Sequence, residues 1–318
     1  MNASTTLPLF PDLALPGRPS LNAPPLRSRA EVEYLDLGAR EVLNRVDSPR
    51  LPFQWTLNPY RGCEFGCSYC YARATHSFFA LDDPASFEQR IFVKRRAAER
   101  LRRELRRGDL RGQTIAIGTA TDPYQPAELH FGITRSLLEV FREAEGLALA
   151  LTTKSPLVLR DLDLLVELDR RHAVEIHVTV TTVDAELARR LEGAAPTPAA
   201  RLRAVQRLAE AGLVTRVNCM PILPGINDDE EQLAPLLRAA REAGAHHVTA
   251  QPLFLKGAAP RRHFFAWLER ERPALAPLYR RLYGRRHYLD DAAKERLLAT
   301  FRRLRLEAGF PRPLPARG

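Results

Sequence analysis

Residues 58–71 read Asn58-Pro59-Tyr60-Arg61-Gly62-Cys63-Glu64-Phe65-Gly66-Cys67-Ser68-Tyr69-Cys70-Tyr71. Three of the chain's four cysteines fall in this stretch with the spacing C-x3-C-x2-C, and the fourth, Cys219, stands alone far downstream. A disulfide framework would spread an even number of cysteines through a short chain, whereas a tight cluster in a large chain binds metal. Gly62 and Gly66 allow sharp turns, so three thiolates can converge on one inorganic centre. A structural zinc site would need a fourth ligand, for which His76 is the nearest candidate, and three buried unligated cysteines form a third reading. Three thiolates on a four-iron, four-sulfur cubane leave one iron without a protein ligand, and an open iron is where a substrate or cofactor binds.

Outward from the cysteines the chain alternates short β-branched runs with helical patterns. Thr56–Tyr60 leads into the cysteine loop, and further strands are expected at Thr114–Gly118, Leu147–Thr153, Val174–Thr182, Val214–Met220 and His246–Leu253. Ser155-Pro156 and Thr197-Pro198 place a capping hydroxyl before a proline at the first helical position. Gly146, Gly212 and Gly244 sit where a helix gives way to a strand. Six β/α units predict an α/β fold with parallel strands, a partial (β/α)6 TIM-like barrel whose functional residues lie at the C-terminal ends of the strands. An open doubly wound sheet has the same periodicity. Six prolines within residues 1–25 predict an arm that nucleates neither helix nor central strand. Beyond Lys256 the pattern turns to aromatic and basic helices, a helical C-terminal cap. The expected division is 1–50 as a partly flexible N-terminal extension, 51–255 as the core and 256–318 as the cap.

The 318 residues are 45% hydrophobic and 27% charged, which excludes disordered and fibrous classes. No run of about 18 apolar residues occurs, and residues 1–10 lack a secretory pattern, so a cytoplasmic protein with no membrane association is expected. The net charge of +10 suits a phosphate-bearing partner, yet only Lys94, Lys154, Lys256 and Lys294 are lysine, an arginine skew that coding bias alone would produce.

The cysteine stretch, with Tyr69 before the last thiol and a strand ahead of it, resembles the radical S-adenosylmethionine (radical SAM) superfamily. Asn58–Cys63 and Thr121-Asp122-Pro123-Tyr124-Gln125-Pro126-Ala127-Glu128 resemble its spore photoproduct lyase-like branch, as do Thr152–Ser155, Arg160–Asp163 and Pro221–Asp228. The likeness covers roughly residues 50 to 250. It implies a 4Fe-4S cluster on Cys63, Cys67 and Cys70, and S-adenosylmethionine chelated by the open iron. One-electron cleavage would then give a 5′-deoxyadenosyl radical that abstracts hydrogen.

The resemblance also assigns cofactor-binding positions. Tyr69 shields the cluster and approaches the adenine, and Gly118–Thr121 meets the methionine amino group. Lys154 and Arg201 meet the carboxylate, the latter in a segment whose family proline is Gly193 here. Thr179 and Thr181 alternate on one face of a strand where hydroxyls bond the ribose, and Ile222 with Gly225 flanks the adenine. Asp122, Tyr124, Gln125 and Glu128, just past a strand end, are candidate substrate residues, with a capped, solvated loop as the other reading. The lyase's hydrogen-donating cysteine has no counterpart in Gly118–Asp122, so reversal of a spore DNA dimer is not expected.

The expected partners are an unidentified substrate, with DNA or RNA as a candidate, and a reducing donor such as flavodoxin or ferredoxin. The alternative function is a metal-containing nucleic-acid-binding protein without radical chemistry. Two basic stretches bear on nucleic acid: the amphipathic Lys94–Arg111, and Arg280–Tyr288, which interleaves aromatics with arginine.

Overall fold

The computed structural model describes residues 27–29, 32–49, 51–81 and 83–311. The Pro-rich stretch of residues 1–25 lies outside the described residues. The strands are, in chain order, β1 (Arg27–Arg29), β2 (Val32–Asp36), β3 (Leu43–Arg45), β4 (Trp55–Leu57), β5 (Tyr60–Arg61), β6 (Arg90–Val93), β7 (Thr114–Ile117), β8 (Ala148–Thr153), β9 (Ala173–Thr179), β10 (Val214–Ile222) and β11 (His247–Pro252).

The larger sheet has the order β11-β10-β9-β8-β7-β4-β3. From β4 to β11 every neighbouring pair is parallel, and β3 closes the edge antiparallel to β4. The parallel strands follow in chain order without a reversal. A doubly wound sheet must reverse direction at its switch point, so this order is that of a partial barrel, here left open with no pairing between β11 and β4. All six expected parallel strands are present, their ends unchanged or moved by at most three residues.

Punctuation sets these units. The Ser155 hydroxyl accepts from Leu157 N (3.2 Å) and the Thr197 hydroxyl from Ala200 N (3.3 Å), each ahead of its proline. The main core lies between strands and helices, with Ile115, Leu149, Leu151, Ile176, Val178 and Val217 from the sheet and Leu137, Leu165, Leu208 and Leu237 from the helices, all buried. At roughly 1.5–3 kcal/mol per buried aliphatic side chain, this face supplies most of the driving force for the fold.

The sequence reading did not anticipate the second sheet, ordered β1-β2-β6-β5. It pairs β2 in parallel with β6 and β5 antiparallel with β6, and so ties residues 32–36 and 90–93 to the start of the cysteine loop. After β11 the described chain is helical, with helices Ala258–Glu271, Ala276–Tyr283 and Asp291–Glu307. No helix among the described residues is long and apolar enough to cross a membrane.

Candidate functional site

The C-terminal ends of the six parallel strands share one rim. A cleft there holds about 930 Å³ of empty space, part of it open to solvent. Cys63, Cys67 and Cys70 all line it, together with Tyr69, Thr121, Asp122, Lys154 and Thr179.

The cysteine loop is built by backbone ties. Cys63 N donates to Phe87 O (2.9 Å), Ser68 N to Leu191 O (2.8 Å) and Cys70 N to Cys67 O (3.2 Å). Gly62 has φ +85°, and a Cβ there would lie 2.7 Å from Arg90 O and 2.9 Å from Phe87 O, so only glycine lets the chain pass β6 at this point. Phe65, Ala72, Phe87 and Leu253 give the thiols an apolar surround. Burial pushes the Cys67 thiol up to about 12 and the Cys63 thiol well above its ordinary value, so a bound metal must displace their protons. Among the described residues no three His, Cys, Asp or Glu side chains converge on one metal ion, and His76 does not join the cysteines. Its Nε2 lies 3.1 Å from Arg90 O, and its ring packs on Phe79, Phe87 and Phe92. Three soft thiols around an apolar cleft, without single-ion convergence, fit a polynuclear iron–sulfur centre better than tetrahedral zinc.

Behind the thiols lies a buried polar network whose centre is Glu192, which the sequence reading met only as part of the segment ahead of Arg201 and gave no role. Its carboxylate accepts from the Tyr69 hydroxyl, from the Thr181 hydroxyl (2.9 Å) and from Arg201, and its backbone bridges Cys67. Arg201 also donates to Pro196 O (2.8 Å) and Thr179 O (3.1 Å), so its guanidinium faces Glu192 and the backbone rather than the cleft. Thr181 likewise sits in this network, while Thr179, two residues earlier, reaches the cleft wall. Burial opposes the Glu192 charge, but Arg201 and Lys154 outweigh it and hold the carboxyl below its ordinary range. Lys154 stands with its ammonium 5.6 Å from the Tyr69 ring centroid. Burial works against that ammonium too, and the Cys67 sulfur and Glu192 carboxylate outweigh it and raise its pKa.

The segment Thr121–Glu128 clamps the cysteine loop. The Thr121 hydroxyl donates to Gly62 O (2.6 Å), and Gln125 Nε2 donates to the same oxygen (3.1 Å) and to Thr121 Oγ1 (2.9 Å). Gln125 Oε1 accepts from Glu64 N (3.0 Å), and Glu64 Oε1 accepts from Ala127 N (2.8 Å). Asp122 Oδ1 accepts from the Thr153 hydroxyl (2.7 Å) and Oδ2 from Lys154 N (2.7 Å), which joins the ends of β7 and β8. Tyr124 and Glu128 point into a second buried network, in which the Tyr124 hydroxyl donates to Asp161 (3.0 Å) and Arg160 donates to Glu128 (2.7 Å) and Asp161 (2.8 Å). Of the four candidate substrate residues, only Asp122 lines the cleft.

Ile222 is fully buried at the end of β10, and Gly225 turns in the following loop with φ +74°. The far wall of the cleft comes from Asn218, Met220, Pro221, Gln251 and Phe254, of which only Pro221 lies in a quoted motif and none was named as a site residue. The signal was available only as position, since each lies at or beyond the midpoint of β10 or β11 or just past its end.

The chain is 37% identical over 289 residues, 89% of its length and 84% of the relative's, to the uncharacterized protein Rv2578c of Mycobacterium tuberculosis. It is 28% identical over 202 residues, 63% of its length, to the uncharacterized protein MJ0683 of Methanocaldococcus jannaschii. Its fold is similar to that of spore photoproduct lyase complexed with dinucleoside spore photoproduct, with a TM-score of 0.64 over 87% of this chain and 80% of that one at 17% identity. A variant of that lyase with bound AdoMet and dinucleoside spore photoproduct gives 0.61 over 84% and 77% at 17% identity. Residues 57–237, from β4 through the helix after β10, match the description of the Radical SAM superfamily, and with the cysteine cleft at the strand ends the conclusion follows that the chain belongs to that superfamily.

Proposed function

We propose that Cys63, Cys67 and Cys70 hold a 4Fe-4S cluster with one iron open to S-adenosylmethionine, and that the enzyme abstracts hydrogen from a substrate admitted at the mouth of the cleft. The observation that carries this reading is that the three thiols line the same cleft as Lys154, Thr179 and Asp122. Bound together, cluster and S-adenosylmethionine supply a 5′-deoxyadenosyl radical on receipt of one electron, here from a donor of the flavodoxin or ferredoxin type.

The chain's own residues bind, orient and exclude water. Lys154 is a compact, half-buried cation on the cleft wall, suited to the carboxylate of the methionine moiety, and the Thr179 hydroxyl to the ribose. Arg201 is a positioning residue that fixes Glu192, and through Glu192 the hydroxyls of Tyr69 and Thr181. Thr121 and Gln125 keep Gly62 in place and so set the loop that carries the thiols. Tyr69 stands in the cleft wall, next to Cys70 in sequence and in contact with Lys154, where its ring would shield a cluster, and Ile222, buried at the end of β10, would support the adenine only through the residues packed on it. Cys219 is fully buried within β10. No thiol other than the three ligands lines the cleft among the described residues, so a cysteine hydrogen donor, and with it dimer reversal, is not part of the proposal.

Anaerobic reconstitution with iron and sulfide tests the reading. About four irons per chain are expected, with loss of iron in Cys67→Ala and formation of 5′-deoxyadenosine on reduction with S-adenosylmethionine present. Iron or zinc bound without 5′-deoxyadenosine would support instead a metal-containing protein without radical chemistry.

A further inference from the structure

A row of rings leads out of the cleft. Tyr71, next to Cys70, lies 4.8 Å from Phe254 between centroids, and Phe254 lies 5.6 Å from Tyr288 with the ring planes 21° apart. Tyr71 and Phe254 line the cleft wall, and Tyr288 forms the outer end with 45% of its surface exposed. The row is fixed at both ends. The Tyr71 hydroxyl donates to Thr119 O (2.5 Å), and Leu255 N donates to His287 O (2.8 Å), which pins the loop bearing Tyr288 to the segment bearing Phe254. Gln251, exposed at the end of β11, places a carboxamide on the same wall.

The stretch of chain that ends in Tyr288 is strongly basic. Residues 256–288 carry nine Lys or Arg against two Glu. Arg280 pairs with Glu269 and Arg286 with Asp290, whereas the exposed Arg281 and Arg285 form no ion pair among the described residues. Of the aromatics interleaved with these arginines, Tyr279 and Tyr283 are buried and stacked on each other, and Tyr288 is the one that meets solvent. The other basic stretch lies elsewhere. Helix Ala97–Arg107 leads into the N-terminal end of β7, away from the cleft, and Arg96, Arg102 and Arg103 are paired with Glu99 or Glu143.

We infer that the stack Tyr71–Phe254–Tyr288 is continued outward from Tyr288 by the bases of a single-stranded nucleic acid, that Arg281 and Arg285 contact its phosphates, and that the nucleotide at the inner end is presented to the cleft. Ring faces accept any base, cations follow the backbone, and the Gln251 carboxamide has both a donor and an acceptor for a base edge. This substrate class rests on the reading that the cleft is where hydrogen is abstracted.

The test is fluorescence anisotropy of the iron-loaded enzyme with a fluorescein-labelled oligodeoxythymidine of about 12 nucleotides, at several salt concentrations. Tyr288→Ala is expected to weaken binding roughly 5- to 150-fold, and Tyr288→Phe to restore it. Arg285→Ala is expected to lower the slope of log affinity against log salt by about 0.7. Binding that is absent, or equally tight in Tyr288→Ala, overturns the inference, as does a duplex that competes fully without needing Tyr288. Oligomer binding that depends on Tyr288, without 5′-deoxyadenosine on reduction, supports the stack and sinks the radical reading. The product without Tyr288-dependent binding overturns the stack alone.

Discussion

Glu192 shows what a single residue can hide from sequence reading. A glutamate after helix Ala185–Leu191, in a stretch rich in alanine and arginine, has the pattern of a solvated helix end, yet it is buried against Arg201, Tyr69 and Thr181. Only the return of helix Pro198–Glu210 across the end of β9 makes a partner for it, and no local spacing encodes that return. The thiols, by contrast, were legible because their chemistry requires short spacing along the chain. Removing one member of a buried ion pair leaves the other charge uncompensated, so Glu192→Ala should cost about 3–5 kcal/mol in urea unfolding. Replacing both partners by apolar residues, Glu192→Leu with Arg201→Met, should recover much of that loss. If the double variant is as unstable as the sum of its single changes, the pair is not the coupled unit described here.

At the scale of elements, β8, β9, β10 and β11 were readable because each runs six residues or more, long enough for a burial pattern, whereas the shorter β4 and β7 were legible from the alternation of the units and from the cysteine loop that follows β4. In β8 that pattern alternates through Ala148–Thr153. The smaller sheet was not readable, since β5 has two residues, β6 four, and β2 pairs with β6 across more than fifty residues of chain. That sheet nevertheless fixes how the cysteine loop starts, through the close passage of Gly62 over Arg90 O. The two loop glycines therefore differ. At Gly66 (φ +62°) a Cβ would meet nothing nearer than the Glu88 side chain at 3.5 Å, so Gly66→Ala should cost about 1–2 kcal/mol of backbone strain and still bind iron. Gly62→Ala has both the strain and two backbone clashes, and it should lose iron after reconstitution while far-UV circular dichroism keeps the signal of the barrel. Equal iron content in the two variants would show that passage over β6 does not set the loop.

For the whole molecule, the sequence suggested a core followed by a separate cap, and the packing joins them. Cys63, Phe65 and Cys67 share one apolar cluster with Phe264, Trp267, Tyr279 and Tyr283, so the cap helices form part of the wall around the thiols. Among the hydrogen bonds that tie cap to barrel, Trp267 Nε1 donates to Arg190 O (2.8 Å) and the Tyr283 hydroxyl to Leu253 O (2.9 Å). Aromatic and basic letters alone cannot distinguish a helix that packs on its own neighbours from one that packs on a distant loop, which is why this dependence was not legible. Trp267 is the largest side chain on the seam, and Trp267→Ala should destabilise the protein by about 3–5 kcal/mol, through lost burial, a cavity and the unpaired Arg190 carbonyl. Because that cavity opens beside the cysteine loop, the reconstituted variant should also bleach faster in air, followed as loss of visible absorbance, than a variant destabilised equally within the barrel core. Leu208→Ala, in the main core and outside the apolar cluster that holds the thiols, provides that comparison. Matched bleaching rates in the two would mean that the cap contributes stability without shielding the site.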